Sequence, residues 1–227
     1  MAGFTSPRAW AFGLLGIGEY LRAFRGDTVV EAQRSALAER LLALYQENST
    51  LDWPWFESSA TYENARLCQA ILSTSSLSGD EQMKAVGLRS LEWLVSVQSL
   101  KEGDYSPIGS NGFYERGKEK AEFDQQPIDA WAMVSACLEA RRLTNDERWL
   151  RYARRSFGWF LGQNHAQRSL YDAATGGCRD GLHPDRMNEN QGAESTLAFQ
   201  LALLEMRSSE LAPALRLVGA ARGASHA

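Results

Sequence analysis

Six acids in this 227-residue chain stand among amides and aromatics in a pattern suited to sugar chemistry: Asp52, Glu57, Asp124, Asp129, Asp180 and Glu194. They fall in three stretches, DWPWFESSATYENAR (52–66), NGFYERGKEKAEFDQQPIDAW (111–131) and CRDGLHPDRMNENQGAEST (178–196), each joining a polar, aromatic loop to the start of an apolar helix. Cleaving a glycosidic bond takes one carboxyl group to protonate the leaving oxygen and another to attack or to activate water, about 5–5.5 Å apart for retention and about 6.5–9.5 Å for inversion. Asp124 and Glu194 are the preferred pair, because each lies in an amide-flanked loop (FDQQ, NENQGAE) that enters the first helix of a hairpin. A helix N-terminus favours an anion at Glu194, which suits a base, and Asp124 then takes the acid's part. Either acid is equally suited to satisfying backbone donors as a cap.

Binding groups surround this pair. Trp53, Trp55 and Tyr114 offer planes for sugar rings, while Glu57, Tyr62, Asn64, Gln125, Gln126, Asp180, Asn188, Asn190 and Gln191 offer partners for hydroxyls. Burial of the two tryptophans as a plug is the competing reading, since tryptophan is highly buried on average. Arg66 suits either the carboxylate of a uronic acid or an ion pair with Glu63 or Asp129. Of the three histidines, His165 follows a helix end, His226 sits in a tail and only His183 lies in a decorated loop. Asp180, His183 and Asp185 are too loose a cluster for a metal site, so no metal is expected. Gly176-Gly177 lacks the context of a phosphate loop, no serine or cysteine sits in a nucleophile elbow, and no cofactor is expected.

The elements that position these groups are helical. Apolar periodicity predicts helices over 7–25, 28–47, 60–76, 81–99, 127–143, 146–162 and 192–207, a weaker eighth near 209–222, and no strand. Short turns at Gly26-Asp27, Gly79-Asp80 and Asn145-Asp146 alternate with the decorated loops. Ser6, Asp27, Asp80 and Asn145 precede helical runs as caps, and Pro7 and Pro127 suit first helical positions. Successive antiparallel hairpins would therefore gather all three decorated loops at one end. A weak repeat resets near Tyr62, Ile128 and Ala193, at spacings of 66 and 65 residues, and each unit opens with a small-residue helix (NARLCQAIL, DAWAMVSACLEA, ESTLAFQLALLE). That period exceeds the roughly 34 to 47 residues of common helical solenoid repeats. The excess lies in the decorated loops and favours a toroid with an active end.

The set DWPWFE with YENA, FDQQPIDAW, WFLGQN, GCRDGL and NENQGAEST resembles the alpha/alpha-toroid superfamily of six-hairpin glycosidases and related sugar-acting proteins. More narrowly it is similar to the helical region after the glycosyltransferase domain in some bacterial group 1 glycosyltransferases. The resemblance spans about residues 8 to 207. It implies an all-α array of antiparallel hairpins, toroid-like and incomplete at about four hairpins where a full ring has six. It also implies a glycoside hydrolase-like enzyme acting on an oligosaccharide through paired carboxylates. The alternative is a non-catalytic module that binds a glycan or belongs to a glycosyltransferase, with that domain or a second copy completing the ring.

Composition narrows the partners. Twenty-eight acidic against 24 basic residues give a net charge of −4 with the signs interspersed, which speaks against nucleic acid and anionic membranes as partners. Three widely spaced cysteines suggest neither a disulfide framework nor a zinc site, and a cytoplasmic location is expected. The apolar run 9–18 stops at Glu19 without a cleavage pattern. Residues 1–208 read as one domain and 209–227 as a weak helix and disordered tail.

Overall fold

The computed structural model of the chain describes residues 3–100 and 103–223, with side chains as far as residue 209. Seven helices carry the fold: α1 (Pro7–Ala23), α2 (Thr28–Asn48), α3 (Asn64–Ser78), α4 (Glu81–Val97), α5 (Pro127–Thr144), α6 (Arg148–Phe160) and α7 (Ala193–Gly223). α1, α3, α5 and α7 stand side by side as an inner row, because α3 packs against both α1 and α5, and α5 against α7. α2, α4 and α6 lie behind as outer partners of α1, α3 and α5.

Side-chain size explains which helices are inner. α3 buries Ala65, Cys68, Ala70, Ser73 and Thr74, and α5 buries Ala130, Ala132, Ser135, Ala136, Cys137 and Ala140, so each can be flanked on three sides at close range. Gly87 of α4 continues the same logic: a Cβ there would lie 2.8 Å from Leu72 of α3. The outer helices instead bring large residues inward, such as Leu41 and Tyr45 of α2, Leu91 and Leu94 of α4, and Trp149, Trp159 and Phe160 of α6. These form one continuous core.

The short turns fold as their residues dictate. Gly79 and Asn145 adopt left-handed conformations after α3 and α5, and Asp27 and Asp80 accept hydrogen bonds from the Val30 and Met83 amides. Three expectations need correction. Ser6 makes no side-chain cap bond, since the proline after it fixes the helix entry without one. The third helix starts at Asn64 rather than residue 60, because Ser59–Ala60 forms a strand, β1. Strands expected to be absent occur as β1 and β2 (Tyr114–Glu115), which pair antiparallel, and β3 (Gly181–Leu182) and β4 (Met187–Asn188), which form a hairpin. Each spans two residues, too short for periodicity to register.

α7 also runs on through residues 209–222 instead of giving way to a separate helix. Ser208-Ser209 supplies no left-handed terminator, and the Ser209 hydroxyl bonds back to the Met206 carbonyl as in a continuing helix. His226 and the expected disordered tail lie outside the described residues.

The caps yield a direct comparison. Asp80→Ala should cost about 1 kcal/mol in urea unfolding, whereas Ser6→Ala should change stability by less than about 0.3 kcal/mol.

Candidate functional site at the decorated end

Backbone hydrogen bonds lace the three decorated loops together. The first and second meet through β1 and β2, with Ser59 opposite Glu115, and the Arg116 amide donates to the Ser58 carbonyl at 3.0 Å. The second and third meet where Gln125 and Leu182 exchange both amide bonds at 2.9 Å. Residues far apart in sequence are thereby held over the starts of α3, α5 and α7.

Beneath the loops, charged groups converge at those helix starts. Glu63, at the N-cap of α3 in a left-handed conformation, donates its amide to Asp129 Oδ1 of α5 at 2.6 Å. Burial pushes Asp129 up to about 7, opposed by that amide and by Arg8 and reinforced by the negative charges of Glu63 and Glu194. Burial likewise raises Glu63, with Arg66 opposing and Glu194 adding to the effect. Glu194 itself is exposed in the first turn of α7. Arg8 of α1 is buried and committed to the Tyr62 carbonyl at 2.7 Å, Glu57 at 2.8 Å and Asn64 at 3.2 Å.

Deeper along the inner face, Arg66 stacks on Trp131 with its guanidinium carbon 3.8 Å from the ring centroid, and sits 3.5 Å from Glu63. Trp131 and Ser135 both donate to Glu205 at 2.9 Å. Tyr62, over Arg8 at 4.8 Å, is the aromatic group most open to solvent here.

Asp124 lies under the β3–β4 hairpin, beside Gly181. Its Oδ2 accepts from Gln126 at 3.0 Å, and its Oδ1 lies 3.6 Å from His183 Nδ1 with no hydrogen bond. Burial raises its pKa, with His183, Arg186 and Gln126 opposing. Gly109 makes this loop possible: a Cβ there would meet the Phe123 carbonyl oxygen at 2.0 Å.

Several residues expected to bind sugar serve the scaffold. Trp53 and Trp55 are buried, 3% and 0% exposed, in a cluster with Phe56, Trp93 and Tyr114, so of the two readings the sequence allowed the structure gives the plug and not the stacking platform. Tyr114 is half-buried against the same cluster. Gln125 is buried with its amide satisfied by Ser106, the Glu122 carbonyl and Trp159, so it anchors the loop to the core. Asn64 is buried and closes the turn from Thr61. Gln191 ties Thr175 to Asp172. Asp180 accepts from Asn190 and the Gly192 amide; burial works against its charge, but these bonds and one from Ser195 hold its pKa down. Glu57 is spent on Arg8, Asn188 receives the Asn190 amide, and Asp52 is exposed. Arg66 makes the Glu63 pair rather than the Asp129 one.

Sequence reasoning missed Glu63, Arg8, Trp131 and Glu205 as members of the site. For Glu63 a signal existed: it follows Tyr62 as Asp129 follows Ile128 and Glu194 follows Ala193, so the three acids are repeat equivalents. The three cysteines are unpaired and buried. Among the described residues, no group of three or more His, Cys, Asp or Glu side chains is placed to hold a metal, and no helix is long and apolar enough to cross a membrane.

No protein-family model matches the chain, and no curated protein matches it in sequence. Solved structures do. The chain is similar to the GH76A alpha-1,6-mannanase of Salegentibacter sp. HEL1_6, with a TM-score of 0.62, 15% identity and coverage of 88% of this chain and 54% of that one. A GH76 alpha-mannanase of Bacteroides thetaiotaomicron gives 0.64 at 11% identity, covering 89% and 52%, and a sugar epimerase from a ruminal bacterium gives 0.61 at 14%, covering 90% and 56%. An inactive variant of the Salegentibacter enzyme, with two consecutive aspartates replaced by asparagine, is in complex with alpha-1,6-mannotriose. The fold is therefore that of the alpha/alpha toroids, and the chain spans about half the length of the structures it matches.

Asp129 makes the site's electrostatics measurable. Its folded pKa lies above the ordinary 3.8, so its contribution to stability is fully present below about pH 4 and is lost as pH rises to about 7. The Asp129→Asn variant, which keeps an acceptor for the Glu63 amide, should lose this component. Relative to wild type it should gain on the order of 4 kcal/mol between those pH values in denaturant unfolding curves. Trp55→Ala should destabilise by about 3–5 kcal/mol, the cost of emptying a core site.

Proposed function

We propose that the chain is a carbohydrate-active alpha/alpha-toroid protein that binds an oligosaccharide across the decorated end and acts on it with hydrolase-like acid–base chemistry. Glu194, exposed at a helix start, is the base, and Asp124, whose burial favours the protonated form, is the acid. The observation that carries the reading is the lacing of all three decorated loops over the N-termini of α3, α5 and α7. The mannanases and the epimerase of the same fold support a sugar ligand. Their residues do not transfer directly, because the matches are at 11–16% identity and this chain contains no two consecutive aspartates. Tyr62, Gln126, Asn188 and Asn190 remain accessible for sugar contacts. Three unpaired thiols fit the expected cytoplasmic location.

A second reading is a non-catalytic glycan-binding or glycosyltransferase-associated module. The exposed leucines of α7, Leu197 at 58% and Leu204 at 56% with Leu201 between them, favour it, because they leave an apolar edge for another helix to cover.

One assay separates the two. Wild-type chain incubated with alpha-1,6-mannotriose and a panel of other oligosaccharides should release product. Glu194→Gln and Asp124→Asn should each lower the rate at least about 100-fold with little change in melting temperature. Binding without turnover in all three proteins would assign the chain to the module reading.

A further inference from the structure

Three aromatic side chains gather near the starts of α1, α3 and α5. Phe12 of α1 is 44% exposed, Tyr62 just before α3 is 49% exposed, and Trp131 of α5 is half-buried. Behind them lie two guanidiniums that are themselves buried. Arg8 sits over the Tyr62 ring at 4.8 Å, and Arg66 stands between Trp131 at 3.8 Å and Phe12 at 6.0 Å. Phe12 is one turn on from Arg8, so the two share a face of α1. The line of contacts continues to α7, where Glu205 accepts from Trp131. A single exposed phenylalanine is ordinary on a protein surface. Here neighbouring inner helices bring exposed rings together, and a buried cation backs each ring and holds its orientation.

The cations behind the rings are already spent, and this defines the ligand. Arg8 is paired with Glu57 at 2.8 Å and bonded to Asn64 and the Tyr62 carbonyl. Arg66 donates to Gln69 at 2.7 Å, lies 3.5 Å from Glu63 and feels the charge of Glu205. Its Nε and Nη2 are buried without hydrogen-bond partners, out of a ligand's reach. Neither guanidinium is therefore free for an acidic sugar, and a cationic ligand would meet rings that already hold a positive charge on one face. A neutral sugar ring fits, because its C–H face packs on an aromatic plane as apolar surface while its hydroxyls stay at the rim. Resting on the sugar reading above, we propose that Phe12 and Tyr62 are the stacking residues for a neutral oligosaccharide, with Trp131 beside them. Arg8 and Arg66 are positioning residues that support the rings.

Titration calorimetry and saturation-transfer NMR on the full chain test this, with alpha-1,6-mannotriose, cellotriose and maltotriose as neutral probes and trigalacturonate as the acidic one. Wild type should bind at least one neutral probe more tightly than trigalacturonate, with saturation passing from aromatic protons to the sugar C–H protons. Phe12→Ala and Tyr62→Ala should each weaken that binding at least about fivefold with little change in melting temperature. Tyr20→Ala, which removes another exposed ring of α1 that is bonded to Asp27 instead, should leave it unchanged. Affinity that survives both Phe12→Ala and Tyr62→Ala, or a preference for trigalacturonate, overturns the proposal and leaves the sugar reading standing. Failure of wild type to bind any of the four probes overturns the sugar reading and the stacking residues with it.

Discussion

Helices α3 and α5 are each enclosed on three sides, and the rest of the molecule follows from that constraint. A helix flanked by two inner neighbours and backed by an outer one has room for alanine, serine and cysteine along most of its length, as Ala70, Ala130, Ser135 and Ala136 illustrate. Such side chains build a wall but offer little to a ligand along their buried faces. Reactive groups collect instead where the helices begin and the packing relaxes. Half of the connections can then be tight turns, and the others must be long enough to cover the helix starts.

Those starts are electrostatically suited to acids. Free amides and the helix dipole favour negative charge at an N-terminus, and Glu63, Asp129 and Glu194 occupy three such positions in a row. Two of the three are nonetheless buried, which raises the cost of their charges and pushes Asp129 up to about 7. Arg8 and Arg66 relieve this only in part, since each is also held by groups outside the cluster: Arg8 by Glu57 and Asn64, Arg66 by Gln69 and the face of Trp131.

What the sequence revealed follows the range of each signal. Helical periodicity, the glycine and asparagine turns and the 66-residue repeat are local or regular, so the hairpin array and the gathering of the decorated loops were legible. The two-residue strands were not, because they are defined by partners dozens of residues away, as Ser59 is by Glu115. For the same reason the sequence leaves Trp53 and Trp55 open between platform and plug, and hides the role of Gln125. A loop aromatic reads as exposed until Trp93 and Tyr114 are known to enclose it, and a glutamine between two loops reads as a ligand group until Ser106 and Trp159 are found to consume its amide. Glu63 is the instructive case. The repeat that aligned Tyr62, Ile128 and Ala193 already placed an acid one residue beyond each.

The open side of α7 bears on how the acids are used. α5, with α7 and α3 beside it, shows no fully exposed large apolar residue, whereas α7 leaves Leu197, Leu201 and Leu204 on a face turned away from its buried Phe199, Ala202 and Met206. Side chains at i, i+4 and i+7 form one stripe, the pattern of a helix that packs on two sides. The matched structures are about twice as long as this chain. The acids sit differently. Glu63, Asp129, Arg8 and Arg66 draw their hydrogen bonds and ring contacts from α1, α3, α5 and the loops above, while α7 acts on them through the charges of Glu194 and Glu205. The charged cluster is thus assembled without any neighbour beyond α7.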